Sequence, residues 1–221
     1  MPDATASALL STEGKALAAM HRAVALHSDP RKAAPFLLRT VEQSRAAARR
    51  EGARTMAVEV RQSLPAMPAL PDVDRKYAER AVEGYLKALD GAAEKKAAGQ
   101  PVSVSGIVSA KLDLIAATEI PGAFSEERER IERRVVQDNP TLLPVLIKLW
   151  NARLDKACPV CRALHRTSRP WGVDFNGGRE PGRAHPRCRC FSTFMPIPVV
   201  LRGGQRVQER RNGGAWEWVT D

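Results

Sequence analysis

Cys158-Pro159-Val160-Cys161 and, twenty-four residues further on, His185-Pro186-Arg187-Cys188-Arg189-Cys190 hold all four cysteines of a 221-residue chain. The 157 residues before them contain none. A two-residue spacer lets Cys158 and Cys161 approach one metal from a tight turn, and His185 and Cys188 repeat that spacing. Together they form a closed set of three thiolates and one imidazole, which suits zinc in a structural role. Cys190 is a fifth candidate, able to replace His185 or to face a core as a small hydrophobe. From 157 to 190 Gly, Pro, Arg and turn residues dominate and no helical period survives. Metal binding would therefore organise this segment, because its binding free energy becomes folding free energy. Two other readings stay open: reduced thiols packed in a metal-free fold, and redox activity or a disulfide. The redox reading is weakened because the Cys-Pro-x-Cys turn is expected to follow a helix, without a βαβ pattern around it.

Upstream the texture is helical. Residues 5–28 place Leu10, Leu17, Met20 and Val24 on one stripe, ended by Ser28-Asp29-Pro30. A second helix is expected over 36–63, with a basic middle (Arg45, Arg49, Arg50) that reads as exposed or resting on a partner. Pro65, Pro68 and Pro71 recur every third residue and favour a stiff, extended connector. A third helix covers 74–98, with Tyr77, Ala81, Tyr85 and Leu89 four apart. A fourth covers 105–120 and is expected to stop at Pro121-Gly122. Ser125 then reads as the cap of a fifth, with Glu126, Glu127 and Glu129 at its positive end. Asn139-Pro140 closes that helix, and 141–154 reads as a sixth with Leu142, Leu146, Leu149 and Trp150 on its apolar face.

Beyond Pro198, residues 199–202, 206–211 and 215–219 read as short strands separated by Gly203-Gly204 and Asn212-Gly213-Gly214. The expected fold class is α+β: a predominantly helical N-terminal two-thirds, and a small loop-rich, zinc-stapled C-terminal module ending in a β-hairpin. The expected division is an N-terminal helical arm (1–64), a Pro-rich hinge (65–72), a helical domain (73–156) and a Cys/His knuckle with β-hairpin (157–221).

Composition narrows the functional classes. The net charge is +10, and from Trp150 to Asp221 thirteen Lys and Arg stand against six Asp and Glu. That excess suits nucleic acid or an acidic protein surface, although arginine-rich composition alone discriminates little. The start lacks a basic region followed by an apolar run, so no signal peptide is expected. No apolar run approaches the roughly 18 residues of a membrane span. A reducing cytosol is the expected compartment, and there clustered cysteines are more often metal ligands than disulfides. A zinc deaminase needs His-x-Glu and a zincin needs His-Glu-x-x-His; neither motif is present. His165 stands alone among arginines and reads as a solvated loop residue. No catalytic constellation is legible, and the chain is expected not to be an enzyme.

Three blocks lie in order along 107–196. Ile115-Ala116-Ala117-Thr118-Glu119 precedes a charged helix. Leu149-Trp150-Asn151-Ala152-Arg153-Leu154-Asp155 leads into Lys156-Ala157-Cys158-Pro159-Val160-Cys161-Arg162-Ala163-Leu164. His185-Pro186-Arg187-Cys188-Arg189-Cys190 completes the set. In this order and spacing they resemble the phage head-morphogenesis family, the Mu F-like minor capsid proteins. The likeness covers roughly the C-terminal half; residues 1–100 carry none of it.

The resemblance implies a minor capsid protein in the head of a virion or phage-like particle, made in the cytoplasm of the host bacterium. It would be portal-associated, contacting the portal or the major capsid protein, with packaged DNA as a further candidate partner and no membrane. Its work would lie in capsid assembly, DNA packaging or delivery. By the same likeness Cys158, Cys161, His185 and Cys188 are the metal positions, with Cys190 in reserve. Trp150 and Asp155 would brace the knuckle, though ordinary core packing explains Trp150 equally well. Arg162, Arg166, Arg169, Arg183, Arg187 and Arg189 are the candidate contacts to nucleic acid or an acidic partner. The alternative is a zinc-knuckle nucleic-acid-binding protein.

Overall fold

The computed structural model describes residues 2–60, 67–138, 146–152, 157–175, 180–185, 188–196, 200–202, 205–212 and 215–220. Four long helices come first: α1 (Pro2–Ala25), α2 (Ala34–Val60), α3 (Pro71–Ala97) and α4 (Val104–Asp138). A single 3₁₀ turn, Pro30–Ala33, joins α1 to α2, and Asp29 caps it by accepting the Arg31 N–H at 3.0 Å. The C-terminal third holds β1 (Leu146–Asn151), α5 (Pro159–Leu164), β2 (Ser168–Pro170) and β3 (Phe191–Pro196). β4 (Val200–Arg202), β5 (Gln205–Asn212) and β6 (Ala215–Thr220) follow. This is the expected α+β class. None of the described helices is long and apolar enough to cross a membrane.

One apolar core runs through all four long helices, with Met20 of α1, Leu37 and Val41 of α2, Tyr85 of α3, and Leu112 and Phe124 of α4. The stretches expected as an arm (1–64) and a helical domain (73–156) therefore share a core. α2 and α4 approach closely at Gly52, where a Cβ would lie 2.5 Å from the Phe124 carbonyl oxygen. Of the expected hinge, 65–66 lie outside the described residues. Pro71 is the first residue of α3, where a missing N–H costs nothing.

Three expectations are corrected. The fourth and fifth helices are one, because α4 runs through Pro121. An interior proline costs about 3 kcal/mol. The buried side chains of Ile115, Ile120 and Phe124 on both sides of it offset that loss. Ser125 is accordingly a buried mid-helix residue, not a cap. Its acidic neighbours serve Arg45 and Arg49 in the basic middle of α2, which are buried instead of exposed, while Arg50 is exposed. Arg45 and Arg49 reach Asp74 at 3.1 and 2.9 Å, and Arg49 reaches Glu126 at 2.6 Å. Opposite charges held by several donors make burial of these arginines tolerable.

The expected sixth helix is the third correction. Residues 146–151 form the central strand of an antiparallel sheet ordered β2-β1-β3, with Trp150 opposite Ser192 and Leu149 opposite Ser168. A short apolar run does not distinguish strand from helix by period alone. The second sheet, β4-β5-β6, is antiparallel and matches the expected strands to within a residue or so.

The first sheet is seated on the bundle by a second apolar cluster, in which Met56 of α2 and Ile131 of α4 meet Trp171 and Phe194. Beneath it Arg128 of α4, almost wholly buried, pairs with Glu59 of α2 and donates to the Ser192 carbonyl of β3 at 2.8 Å. Glu59 in turn accepts the Phe194 N–H at 2.9 Å. The sheet thus enters the bundle through charge-assisted bonds as well as apolar contact.

Candidate metal centre

Two segments bring the cysteines together. The first follows β1: Cys158 is the N-cap of α5, with its sulfur accepting the Cys161 N–H at 3.4 Å. Pro159 fills the first helical position, where its fixed φ suits the turn. The six-residue helix is one the sequence did not reveal. The second segment, 180–190, leads into β3. Gly182 lies in the left-handed region at φ 79° and abuts α4 so closely that a Cβ would sit 2.7 Å from the Pro121 carbonyl oxygen. Only glycine fits both constraints. From there the chain returns towards α5, and the Cys188 N–H donates to the His185 carbonyl at 3.1 Å.

All five expected donors converge. Cys158, Cys161 and His185 form one triad, and Cys161, Cys188 and Cys190 form a second, with the donor atoms of each within 4.8 Å of one another. Cys161 belongs to both. His185 Nε2 lies 3.2 Å from the Cys158 sulfur and 3.1 Å from that of Cys161. The Cys161 and Cys188 sulfurs are 3.9 Å apart. A tetrahedral ion with metal–sulfur bonds of about 2.3 Å and metal–nitrogen bonds of about 2.0 Å has edges of roughly 3.5–3.8 Å. Within each triad the donors are close enough to hold a metal ion, and Cys161 links the two triads.

The environment sorts the thiols. The Cys161 N–H holds the Cys158 thiol below its ordinary value. A hydrogen bond from Cys190 does the same for Cys188, down to about 5, helped by the backbone N–H groups of Cys190 and Gly182. Burial pushes Cys161 up, and Cys190, as the donor to Cys188, is also raised. N–H groups aimed at sulfur favour thiolates, the form that coordinates a metal.

Trp150 has no exposed surface and shares a small core with Cys161, Cys188, Cys190, Leu164 and Phe175, its ring edge-on to Phe175 at 5.2 Å. It walls the cluster on the β1 side and is core packing at the same time. Asp155 and Arg187 lie outside the described residues. His165 is not the solvated loop residue expected: its Nδ1 accepts the Ala152 N–H at 3.1 Å, which ties α5 to the end of β1. Burial, then the charge of Arg166, lowers its pKa. The Cys-Pro-x-Cys turn follows a strand and not the expected helix, although the surrounding sheet is antiparallel.

The candidate arginines separate into two groups. Arg189 is engaged within the chain, its Nε 2.9 and 3.0 Å from the two carboxylate oxygens of Glu13 on α1. Arg183 reaches Glu129 of α4 at 3.0 Å. Arg162 and Arg166 are exposed and Arg169 is half-buried, all on the α5–β2 side. Thr118 and Glu119, widely separated in sequence from His185, line the same cleft of about 330 Å³ beside it, together with Arg45, Tyr77 and Arg183.

No family model, curated protein or solved structure matches this chain. Functional inference therefore rests on the residues and their geometry. One buried group of charges escaped the sequence reading altogether. Lys148 of β1, an unremarkable lysine in an apolar run, lies 3.0 Å from Glu132 of α4 and 3.2 Å from Glu180.

Proposed function

We propose that this chain is a non-enzymatic minor capsid or head-morphogenesis protein of a tailed phage, prophage or phage-like gene transfer particle. It acts in head assembly, DNA packaging or delivery near the portal. The observation that carries the reading is the convergence of three sequence blocks far apart in the chain. Trp150, the Cys158/Cys161 turn and the His185/Cys188 turn form one walled cluster, and Thr118-Glu119 lines the cleft beside it. The metal in this reading is zinc, held by Cys158, Cys161 and Cys188 with His185 or Cys190 as the fourth donor. When bound it supplies a tetrahedral cross-link between α5 and the 185–190 segment. The chain's own residues do the rest: the bundle offers long helical faces for docking on the portal or shell, and Trp150 keeps water from one side of the cluster.

Quantitative mass spectrometry of density-purified, nuclease-treated particles tests the role. A fixed low copy number relative to the major shell protein is expected. Absence from both particles and assembly intermediates would overturn the proposal. Elemental analysis of the reduced protein tests the metal separately, with about one zinc per chain expected. A folded protein with less than a tenth of that, and four freely titrating thiols, would remove zinc and leave the particle role standing.

The exposure of Arg162 and Arg166 next to the cluster favours one second reading, a zinc-knuckle nucleic-acid-binding protein. It requires tight, salt-sensitive binding of the full chain to a particular DNA or RNA, which a particle component need not show.

A further inference from the structure

The segment that presents His185 is fastened to the bundle at three successive points. Arg183 pairs with Glu129, Gly182 lies against α4, and Glu180 enters the buried charge cluster with Lys148 and Glu132. That cluster draws on four parts of the fold. Glu132 comes from α4 and Lys148 from β1. Gly172 donates its N–H to Glu132 at 2.7 Å, and Phe175 donates its N–H to Glu180 at 3.4 Å. All three side chains are at most 10% exposed.

The charges around Glu180 do not balance. Facing it are Lys148 from β1 and Glu132, Glu129 and Arg128 from α4, and Arg128 is already bound to Glu59 of α2. Glu129 is met from the surface by Arg133 and Arg183. In the buried part, two cations, Lys148 and Arg128, stand against three carboxylates, Glu59, Glu132 and Glu180. A buried site with one surplus negative charge takes up a proton, because two carboxylates sharing one ammonium cannot both ionise cheaply.

We propose that Glu132, Lys148 and Glu180 form a proton-operated clamp, which holds the 180–185 segment on the bundle while the triad keeps one proton and loosens it when that proton leaves. The inference is independent of the metal and of the particle role. It rests on the count of charges, their burial and the three elements they join.

Glu180 is the member that titrates in the accessible range. Burial raises its pKa to about 7 against the pull of Lys148, with Glu132 and Glu129 adding to the rise. Glu132 is also raised by burial, opposed by Lys148 and by the Gly172 N–H. The sign follows from linkage. Once the segment is released, Glu180 has an ordinary carboxylate value, so the closed form binds more protons than the open one between roughly pH 4.5 and 7. The clamp is tightest below that window, weakens as pH rises through it, and changes no further once both forms have lost the proton.

Hydrogen exchange on the full chain reads this directly, with wild type compared with Glu180→Gln at each pH from 5 to 8 so that intrinsic exchange cancels. In residues 171–175 and 180–185 the ratio of wild-type to variant opening should rise about tenfold per pH unit between 5 and 7 and level off above 7. A ratio flat across that range would overturn the clamp. Carbon-13 titration of the wild-type glutamate carboxyls keeps the test decisive if the variant fails to fold. A Glu180 midpoint near 7 is expected, and a midpoint in the ordinary range near 4.3 would overturn the proposal.

Discussion

The helical bundle and the Cys/His knuckle are built on different principles. The bundle buries side chains from four long helices in one apolar core and adds paired charges at its helix contacts. The knuckle's own core has seven buried members, and three of them are cysteines. Remove what thiols can do chemically and only Trp150, Ala152, Leu164 and Phe175 are left to fill it. A core so small does not offset the entropy of ordering some thirty residues of turn and loop. The bundle's stability is a matter of area; the knuckle's turns on whether its sulfurs only pack or hold a metal ion, which the cluster can do.

The substitution that breaks this contrast most completely is Cys161→Ser, since Cys161 belongs to both donor triads. With a metal holding the knuckle, losing the shared donor forfeits much of the roughly 10–16 kcal/mol that a structural zinc site supplies. Near-ultraviolet circular dichroism from Trp150 and Trp171 should then collapse while the far-ultraviolet helical signal persists. If the thiols only pack, the buried hydroxyl costs about 1–3 kcal/mol and both signals survive. The two outcomes differ in kind, so one spectrum of the folded protein separates them.

Next in size is Arg128→Ala, which acts where the two regions meet. Arg128 is almost wholly buried, and it holds Glu59, Thr55 and the Ser192 carbonyl at once. Truncation leaves Glu59 charged, buried and without its cation, a loss of about 3–5 kcal/mol. Because Glu59 also anchors the Phe194 N–H, the sheet should loosen together with α2 and α4, in one denaturation transition. Pairing the change with Glu59→Gln should recover a large part of the loss, by removing the stranded charge.

How much of this was legible in the chain follows the same contrast. Helices with apolar residues every three or four positions announced themselves; α1, α2 and α3 lie near their expected spans, and α4 covers the spans expected for two. The donor set was readable because cysteine and histidine spacing carries chemistry directly. The errors fell where burial overrides local pattern. Pro121 reads as a stop, but the apolar side chains around it carry α4 through. Leu146 to Trp150 fit either period, and the sheet decides between them. Arg45 and Arg49 read as surface charge, and nothing singled out Lys148, because their partners, Asp74, Glu126, Glu132 and Glu180, lie elsewhere in the sequence. Nothing local marks a lysine as one that will meet two buried carboxylates.

The smallest expected effect is the most informative about how the two regions communicate. Arg189 stands between Cys188 and Cys190, and its guanidinium grips Glu13 of α1 through both carboxylate oxygens. The arginine side chain keeps 23% of its surface exposed, so the pair is partly screened and Arg189→Ala should cost only about 1 kcal/mol. The cost should shrink further in high salt. A double-mutant cycle with Glu13→Ala isolates that coupling from the losses of each side chain alone. Repeating the cycle in a Cys161→Ser background asks what positions the arginine. Coupling that disappears there means the thiol cluster sets the geometry by which α1 is held. Coupling that survives means β3 alone places Arg189, and the bundle is indifferent to the state of the sulfurs.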